Sequence, residues 1–194
     1  MLLLVGLGNP TPDSENNRHN VGFKIIDSIN KKFSLSKQKP KFKGLLTTGN
    51  IENKKVYAIK PLTFMNNSGI CIRELLEYFK IEPENVIVFH DDLDVDFGKI
   101  KAKFGGSNAG HNGIASIDKF IGKDYSRVRI GIGKPKGSIQ VEDYVLQNFD
   151  EEEIIGINKI SENINEFLSI LIEKKLDLFS SNVNNKQWVL SVVL

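Results

Sequence analysis

The chain is short of the residues that build crosslinked or membrane-spanning proteins. It has a single cysteine, Cys71, so no disulfide can form within it, and the class of disulfide-stabilised secreted proteins is excluded. Cys71 lies in the apolar opening of a predicted helix, where we expect a small core residue. No apolar run approaches the roughly 18 residues that a membrane helix requires, so no membrane partner is expected.

A strong excess of charge of either sign is also missing. The 194 residues carry a formal net charge of only +2, which gives no overall case for binding nucleic acid but leaves room for a local basic patch. The amino-terminal residues are apolar, yet they lack the charged start and the small-residue cleavage pattern of a signal peptide. We therefore expect a cytoplasmic protein.

Strands and helices alternate along the chain, and neither a linker nor an internal repeat divides it. This order predicts one domain over residues 1–194, an α/β three-layer sandwich with a twisted, mixed and largely parallel sheet flanked by helices. The predicted helices cover 21–33, 72–79, 114–121 and 151–175, and the predicted strands cover 1–5, 44–51, 54–60, 86–89, 98–104 and 127–133, with 34–43 as a connection.

The segment 6–22 leaves the first predicted strand through Gly8-Asn9-Pro10 and returns to a helix at Arg18-His19-Asn20. A loop of this kind can place the amide of Asn9 beside the imidazole of His19. Glycine-bounded loops at the carboxyl ends of strands are where open α/β sheets bind ligands. The alternative is an ordinary turn that carries a surface histidine.

Three later features also lie at the ends of predicted elements: Asn66 and Asn67, Asp91 with its acidic neighbours, and His111-Asn112. If the strands are parallel neighbours, these side chains converge with those of the first loop in one cleft. A histidine–aspartate pair acting on water fits the set, with His19 as the base and Asp91 holding its other ring nitrogen. Asparagine amides can donate to a developing oxyanion without adding charge. For Asn66 and Asn67, helix capping is the competing role.

Other chemistries have weaker support. No serine lies in a Gly-x-Ser-x-Gly elbow, and the three histidines lack the spacing of zinc ligands, so we expect no metal. The Gly6-Leu7-Gly8 run lacks the third glycine of a dinucleotide fingerprint. His90 lies within an apolar strand and is expected to be a core residue, whereas the role of His111 stays open.

Six motifs together resemble the bacterial-type peptidyl-tRNA hydrolase family. They lie in the family's order over roughly the first 150 residues: GLGNP at 6–10, RHNVG at 18–22, FMNNSG at 64–69, HDDLD at 90–94, GHNG at 110–113 and RIGIGKP at 129–135. The resemblance implies hydrolysis of the ester between a nascent peptide and the terminal ribose of tRNA, with tRNA as the macromolecular partner. It also implies a monomer, and the reaction requires no cofactor.

The resemblance assigns residues to roles by position. His19 is the implied catalytic base and Asp91 its support. The implied substrate-binding residues are Asn9, Asn66, Asn112, Phe64 and Ser14, and the implied tRNA-binding residues are Lys101, Lys103, Arg127 and Arg129. Ser14 stands where the family usually has a tyrosine, Asn17 where it has threonine, and Ala109 where glycine is common. A non-catalytic RNA-binding protein on the same scaffold is the alternative, although such a protein need not keep His19 and Asp91.

Overall fold

A computed structural model describes residues 1–186 of the chain. The apolar ending, whose packing the sequence does not predict, lies outside the described residues. Within the described part, no helix is long and apolar enough to cross a bilayer.

One mixed sheet forms the centre of the described structure. Its strands in chain order are β1 (Leu2–Gly6), β2 (Lys39–Lys41), β3 (Gly44–Ile51), β4 (Lys54–Pro61), β5 (Val86–Asp92), β6 (Ile100–Phe104) and β7 (Ser126–Gly131). The strand order is β2-β3-β4-β1-β5-β7-β6. The four inner strands β4, β1, β5 and β7 are parallel, whereas β2, β3 and β6 run antiparallel to their neighbours. The predicted mixed, largely parallel sheet is confirmed.

Helices cover both faces of this sheet. They are α1 (Val21–Lys32), α2 (Ser68–Phe79), α3 (Asn112–Ile121), α4 (Val141–Val145), α5 (Glu151–Glu166), α6 (Leu168–Ile172) and α7 (Leu176–Asn185). Alternate strand residues point to opposite faces, so Leu4 and Phe89 pack with α1 and α5, whereas Leu3 and Val88 pack with α2 and α3. Two apolar layers separated by the sheet give the expected three-layer sandwich.

Two glycines let the first helix begin directly against the sheet. A Cβ atom at Gly22 would lie 2.4 Å from both the Leu7 nitrogen and the Phe89 oxygen, and one at Gly6 would lie 2.2 Å from the Gly22 oxygen. No side chain fits at either position. This close approach holds the residues that precede α1, His19 among them, over the ends of β1 and β5.

Two predicted boundaries are wrong. The supposed connection at 34–43 contains β2, an edge strand whose Lys-Pro-Lys sequence has no apolar alternation to reveal it. The predicted helix over 151–175 breaks at Phe167, where the Ile170 nitrogen donates to the Phe167 oxygen and the separate helix α6 begins. Beyond it, α7 lies along β6, with Ser180 and Asn184 hydrogen-bonded to the strand's backbone, and so does not cover the carboxyl ends of the inner strands.

Candidate active site

A cleft of about 1060 Å³ opens at the carboxyl ends of β1 and β5, the edge at which open α/β sheets bind ligands. Loops from four regions of the chain form its walls. The predicted residues that line it are Asn9, His19, Phe64, Asn66, Asp91, His111 and Asn112. The structure therefore brings together the side chains that the sequence places at separate element ends.

His19 and Asp91 form a direct pair at the floor of the cleft. His19 Nδ1 lies 2.8 Å from Asp91 Oδ1, and both side chains are more than nine-tenths buried. A carboxylate oxygen can only accept, so Nδ1 carries a proton, and in the neutral ring Nε2 keeps its lone pair. No residue within 1–186 hydrogen-bonds to Nε2. The pair therefore presents an unprotonated nitrogen as a possible base.

His111 makes a second hydrogen bond to the same carboxylate oxygen. Its Nε2 lies 3.0 Å from Asp91 Oδ1, and its Nδ1 accepts from the backbone nitrogen of Ile114 at 3.3 Å, within the first turn of α3. The start of the helix thus fixes the tautomer of His111, with Nδ1 unprotonated and Nε2–H directed at Asp91. The ring centroids of His19 and His111 are 4.9 Å apart. The sequence left the role of His111 open, and the structure shows that His111 hydrogen-bonds to Asp91.

The charge of Asp91 depends on these two neighbours. Burial alone would raise the pKa of its carboxyl group, but the charges and N–H groups of His19 and His111 hold that pKa well below its usual range. Asp91 is therefore a buried anion with a fixed position. Such an anion stabilises an imidazolium when one forms beside it.

His90 is a core residue, as expected, but one side of its ring has no partner. Its Nδ1 donates to the Asp91 carbonyl oxygen at 2.7 Å, whereas its buried Nε2 has no hydrogen-bond partner among the described residues. Its ring packs edge-on against His111 with centroids 4.8 Å apart. Burial, together with the charge of His111, lowers the pKa of His90 to about 3, so the ring is neutral near pH 7.

The amide and aromatic side chains form the upper part of the cleft. Asn9 Oδ1 accepts from the backbone nitrogen of Met65 at 2.9 Å, which leaves Asn9 Nδ2 available as a donor. Asn66 and Asn112 are exposed, as is Phe64 with 55% of its surface accessible. Phe64 has φ +57° and ψ 161°, a conformation that L-residues rarely adopt.

Ser14, which the resemblance implies to be a substrate-binding residue, does not line this cleft. It is 8% exposed, and its hydroxyl lies 2.6 Å from the hydroxyl of Thr11 inside the short turn Pro12–Ser14. The Ser14 side chain points into its own loop. Ser14 therefore stabilises the loop and makes no contact with the cleft.

The basic residues of β6 and β7 share one face of the sheet, because Lys101 pairs with Arg129 in the register and Lys103 pairs with Arg127. Lys101 is exposed, and partial burial together with the neighbouring charge of Arg129 lowers the pKa of Lys103. Arg129 is partly exposed and donates to Asp92 Oδ2 at 2.7 Å. These residues form a local positive patch on a nearly neutral protein.

Arg127 is not part of that patch, because its side chain is buried. It is 1% exposed, and its guanidinium donates to Asp118 Oδ1 at 2.8 Å and to the Ser107 carbonyl oxygen at 2.9 Å. Tyr125 donates to the same carboxylate oxygen at 2.7 Å. Since α3 carries Asp118 over this position, Arg127 connects the glycine-rich loop to the helix.

His19, Asp91 and His111 also have the residue types of a metal site, and their ligand atoms lie within 4.8 Å of one another. In this structure, however, the same atoms hydrogen-bond to one another. Both imidazole nitrogens that face Asp91 Oδ1 carry protons, which a metal would have to displace. The donor set fits a base and its supports better than it fits a metal ion.

The sequence did not reveal how the far wall of the cleft is held. That wall is α4 and the residue after it, with Val141, Val145 and Leu146 facing the cleft. Arg18 holds it: its guanidinium donates to the carbonyl oxygens of Gln147 and Asn148 and, at 2.7 and 3.0 Å, to the two carboxylate oxygens of Glu153. A five-residue helix is too short to show helical periodicity, but an arginine directly before His19 was an available signal.

Comparison with known proteins identifies the family. The family model described as peptidyl-tRNA hydrolase matches residues 3–189. A peptidyl-tRNA hydrolase of Pelagibacter ubique is 77% identical over 96% of this chain and 100% of its own length, and one of Bacillus subtilis is 47% identical over 79% and 82%. The crystal structure of peptidyl-tRNA hydrolase from Acinetobacter baumannii matches with a TM-score of 0.88 at 32% identity over 95% of each chain. The chain belongs to the peptidyl-tRNA hydrolase family and is an enzyme.

Proposed function

We propose that the chain hydrolyses the ester bond between a peptide, or another N-blocked aminoacyl group, and the 3'-terminal ribose of tRNA. The observation that carries the proposal is the buried His19–Asp91 pair, with the unprotonated His19 Nε2 facing a cleft large enough for a peptidyl ester. Membership of the family supports the substrate class.

In the proposed reaction His19 Nε2 takes a proton from water as the water oxygen attacks the ester carbonyl carbon. The resulting imidazolium donates a hydrogen bond through Nδ1–H to the Asp91 carboxylate, whose charge stabilises it. The tetrahedral intermediate then collapses, its bond to the ribose oxygen breaks, and the proton on Nε2 passes to that oxygen. The products are a tRNA with a free ribose hydroxyl and a peptide carboxylic acid, which releases the remaining water proton to solvent and becomes a carboxylate. The protein groups at hand complete this cycle without a redox step.

The asparagines are the proposed binding groups for the reacting end of the substrate. Asn9 Nδ2 is free to donate because Asn9 Oδ1 is occupied by the Met65 nitrogen, and the exposed amides of Asn66 and Asn112 line the same cleft. Neutral donors of this kind stabilise a developing oxyanion. Phe64 provides an apolar surface at the entrance, and its unusual backbone conformation supports a functional role over an accidental one.

We propose that the patch of Lys101, Lys103 and Arg129 contacts the phosphates of tRNA. The three side chains lie on one sheet face, beside the loop that carries His111 and Asn112 into the cleft. Phosphate contacts are local, so they do not require a strongly basic protein. We further propose a cytoplasmic monomer, which light scattering of the purified full chain would check.

The function is tested by incubating the purified chain with N-acetyl-aminoacyl-tRNA and following ester cleavage, with His19→Ala as the control. The proposed base predicts a loss of about 10²- to 10⁴-fold in kcat for the variant. Tight tRNA binding with equally slow cleavage by both proteins would support the non-catalytic RNA-binding alternative instead.

A further inference from the structure

We propose that Asn20 is a positioning residue that fixes Asn9 at the edge of the active site. The proposal rests on the proposed function, because it concerns how the amide donor of that reaction is held. Asn20 touches neither the cleft nor His19's partner Asp91, and so has no direct part in the chemistry described above.

Asn20 holds residue 9 by a reciprocal pair of hydrogen bonds. The Asn9 backbone nitrogen donates to Asn20 Oδ1 at 2.8 Å, and Asn20 Nδ2 donates to the Asn9 backbone oxygen at 2.9 Å. Asn20 is only 2% exposed, and both bonds are partly shielded from bulk water. One side-chain amide thus satisfies both backbone groups of a single residue and fixes its position and its orientation.

The constraint continues from the backbone of Asn9 into its side chain. With its backbone held by Asn20, Asn9 directs Oδ1 to the Met65 nitrogen at 2.9 Å. That bond uses the amide's acceptor and leaves Nδ2 as the group presented to the cleft. Met65 begins the short turn Met65–Asn67, which carries Asn66. The contacts therefore run from Asn20 through Asn9 to a second proposed substrate-binding residue.

This clamp closes the loop that separates Asn9 from His19. Its internal hydrogen bonds are a hydroxyl pair between Thr11 and Ser14 and short backbone turns from Thr11 to Asn20. Phe149 and Gln147 hold only its later part, at Asn16 and Arg18. Pro10 contributes no N–H group. Asn20 joins the loop's two ends across eleven residues, so Asn9 is positioned by the residue next to the base and not by the loop itself.

Asn20→Asp tests the proposal with a nearly isosteric change. The carboxylate keeps one acceptor for the Asn9 nitrogen but sets a second acceptor against the Asn9 oxygen. A misplacement of about 1 Å in an active site costs about 100-fold, so we expect a loss of that order in kcat with N-acetyl-aminoacyl-tRNA. The matched control is Asn165→Asp, which alters another buried asparagine on α5, hydrogen-bonded to Ser28. Like Asn20→Asp, this variant buries a carboxylate in place of an amide, so its unfolding temperature should fall. Its kcat should stay unchanged.

The decisive measurement is a double-mutant cycle with Asn9→Ala. If Asn20 acts through Asn9, adding Asn20→Asp to Asn9→Ala lowers kcat by less than about twofold, which is within ordinary additivity error. An undiminished loss in the Asn9→Ala background, or a wild-type kcat for Asn20→Asp, overturns the proposal. If the aspartate variant does not fold, Asn20→Ala, which removes both hydrogen bonds without adding charge, replaces it in the double-mutant cycle. Failure of both to fold assigns Asn20 a purely structural role and also overturns it. Wild-type protein without any hydrolysis would instead refute the proposed function.

Discussion

Asp91 Oδ1 accepts hydrogen bonds from His19 and His111, so one buried oxygen orients both rings. The His111 tautomer is fixed by the Ile114 nitrogen, and His111 in turn supplies Asp91 with a donor that does not depend on His19. When His19 takes up a proton, Asp91 is already ionised and in place. At the scale of single residues, the site is organised around the charge of one carboxylate.

Asp91→Asn removes this charge while keeping an oxygen that can accept both hydrogen bonds. Because a neutral amide stabilises an imidazolium poorly, we expect kcat for N-acetyl-aminoacyl-tRNA to fall by about 10²- to 10⁴-fold while KM changes little. Steady-state kinetics with Asp124→Asn, which alters an exposed carboxylate, gives the control. A wild-type kcat for Asp91→Asn would remove Asp91 from the mechanism.

The lowered pKa of His90 predicts that acid reduces the stability of the folded protein. The unfolded chain protonates this residue below about pH 6.5, whereas the folded protein does so only near its pKa of about 3. The stability that His90 contributes is therefore present above about pH 6.5 and is lost as the pH falls towards 3, at up to about 1.4 kcal/mol per pH unit.

His90→Asn should flatten the pH dependence of the free energy of unfolding between those limits, measured by urea denaturation. Asp91, Asp92 and His111 also face or adjoin the ring, and they are present in both proteins, so the difference between wild type and variant reports on His90. An equal slope in both would contradict a neutral buried His90.

At the scale of elements, Arg18 makes several of the contacts that attach α4 to the fold. Besides its hydrogen bonds to the segment after α4, the Arg18 guanidinium lies 4.6 Å from the Tyr144 ring centroid, and Tyr144 donates to the Ile132 oxygen at 2.7 Å. The Phe149 nitrogen also donates to the Asn16 oxygen. The residue beside the base therefore holds the opposite wall of the cleft.

Arg18→Met should release this wall. It leaves the partly buried Glu153 carboxylate without its cation, at a cost of about 3 kcal/mol, and it removes the bonds that hold 147–148. We expect faster hydrogen exchange at the amides of α4 and a higher KM, because Val141, Val145 and Leu146 no longer form a fixed surface. Arg73→Met, on the exposed face of α2, is the control. Unchanged exchange in α4 would show that other contacts hold the wall.

The sequence predicted those parts of the site that depend on sheet topology. Parallel strands bring their carboxyl ends together, so Asn9 and Asp91 were expected to share a cleft, and they do. Alternation along β7 predicted the face on which Arg127 lies, but not that Asp118 on α3 would cover it. Ser14 faces inward because of a contact with Thr11 inside a loop that has no periodicity. Sequence periodicity shows which face of the sheet a side chain lies on. Whether a helix then buries that side chain, and which contacts form inside a loop, depends on the three-dimensional packing.

At the scale of the whole molecule, the two faces of the sheet serve different purposes. Ala102 and Val128 turn towards α7 and the apolar layer, whereas Lys101, Lys103 and Arg129 turn to the face that carries α2 and α3. The proposed tRNA contact is thus one-sided and continuous with the cleft. Since most basic residues lie elsewhere on the surface, their removal should not affect binding in the same way.

Lys103→Ala tests this one-sided arrangement. Loss of one phosphate contact should weaken tRNA affinity and reduce the slope of log K against log salt by about 0.7 to 0.9, the value expected for one counterion released. Cleavage of a short aminoacyl-nucleotide ester, which does not extend to the patch, should stay close to wild type. Lys159→Ala is the matched control, because it removes an exposed lysine from α5 on the opposite face of the sheet. An unchanged slope for Lys103→Ala, or an equal reduction for Lys159→Ala, would mean that tRNA does not bind through this patch alone.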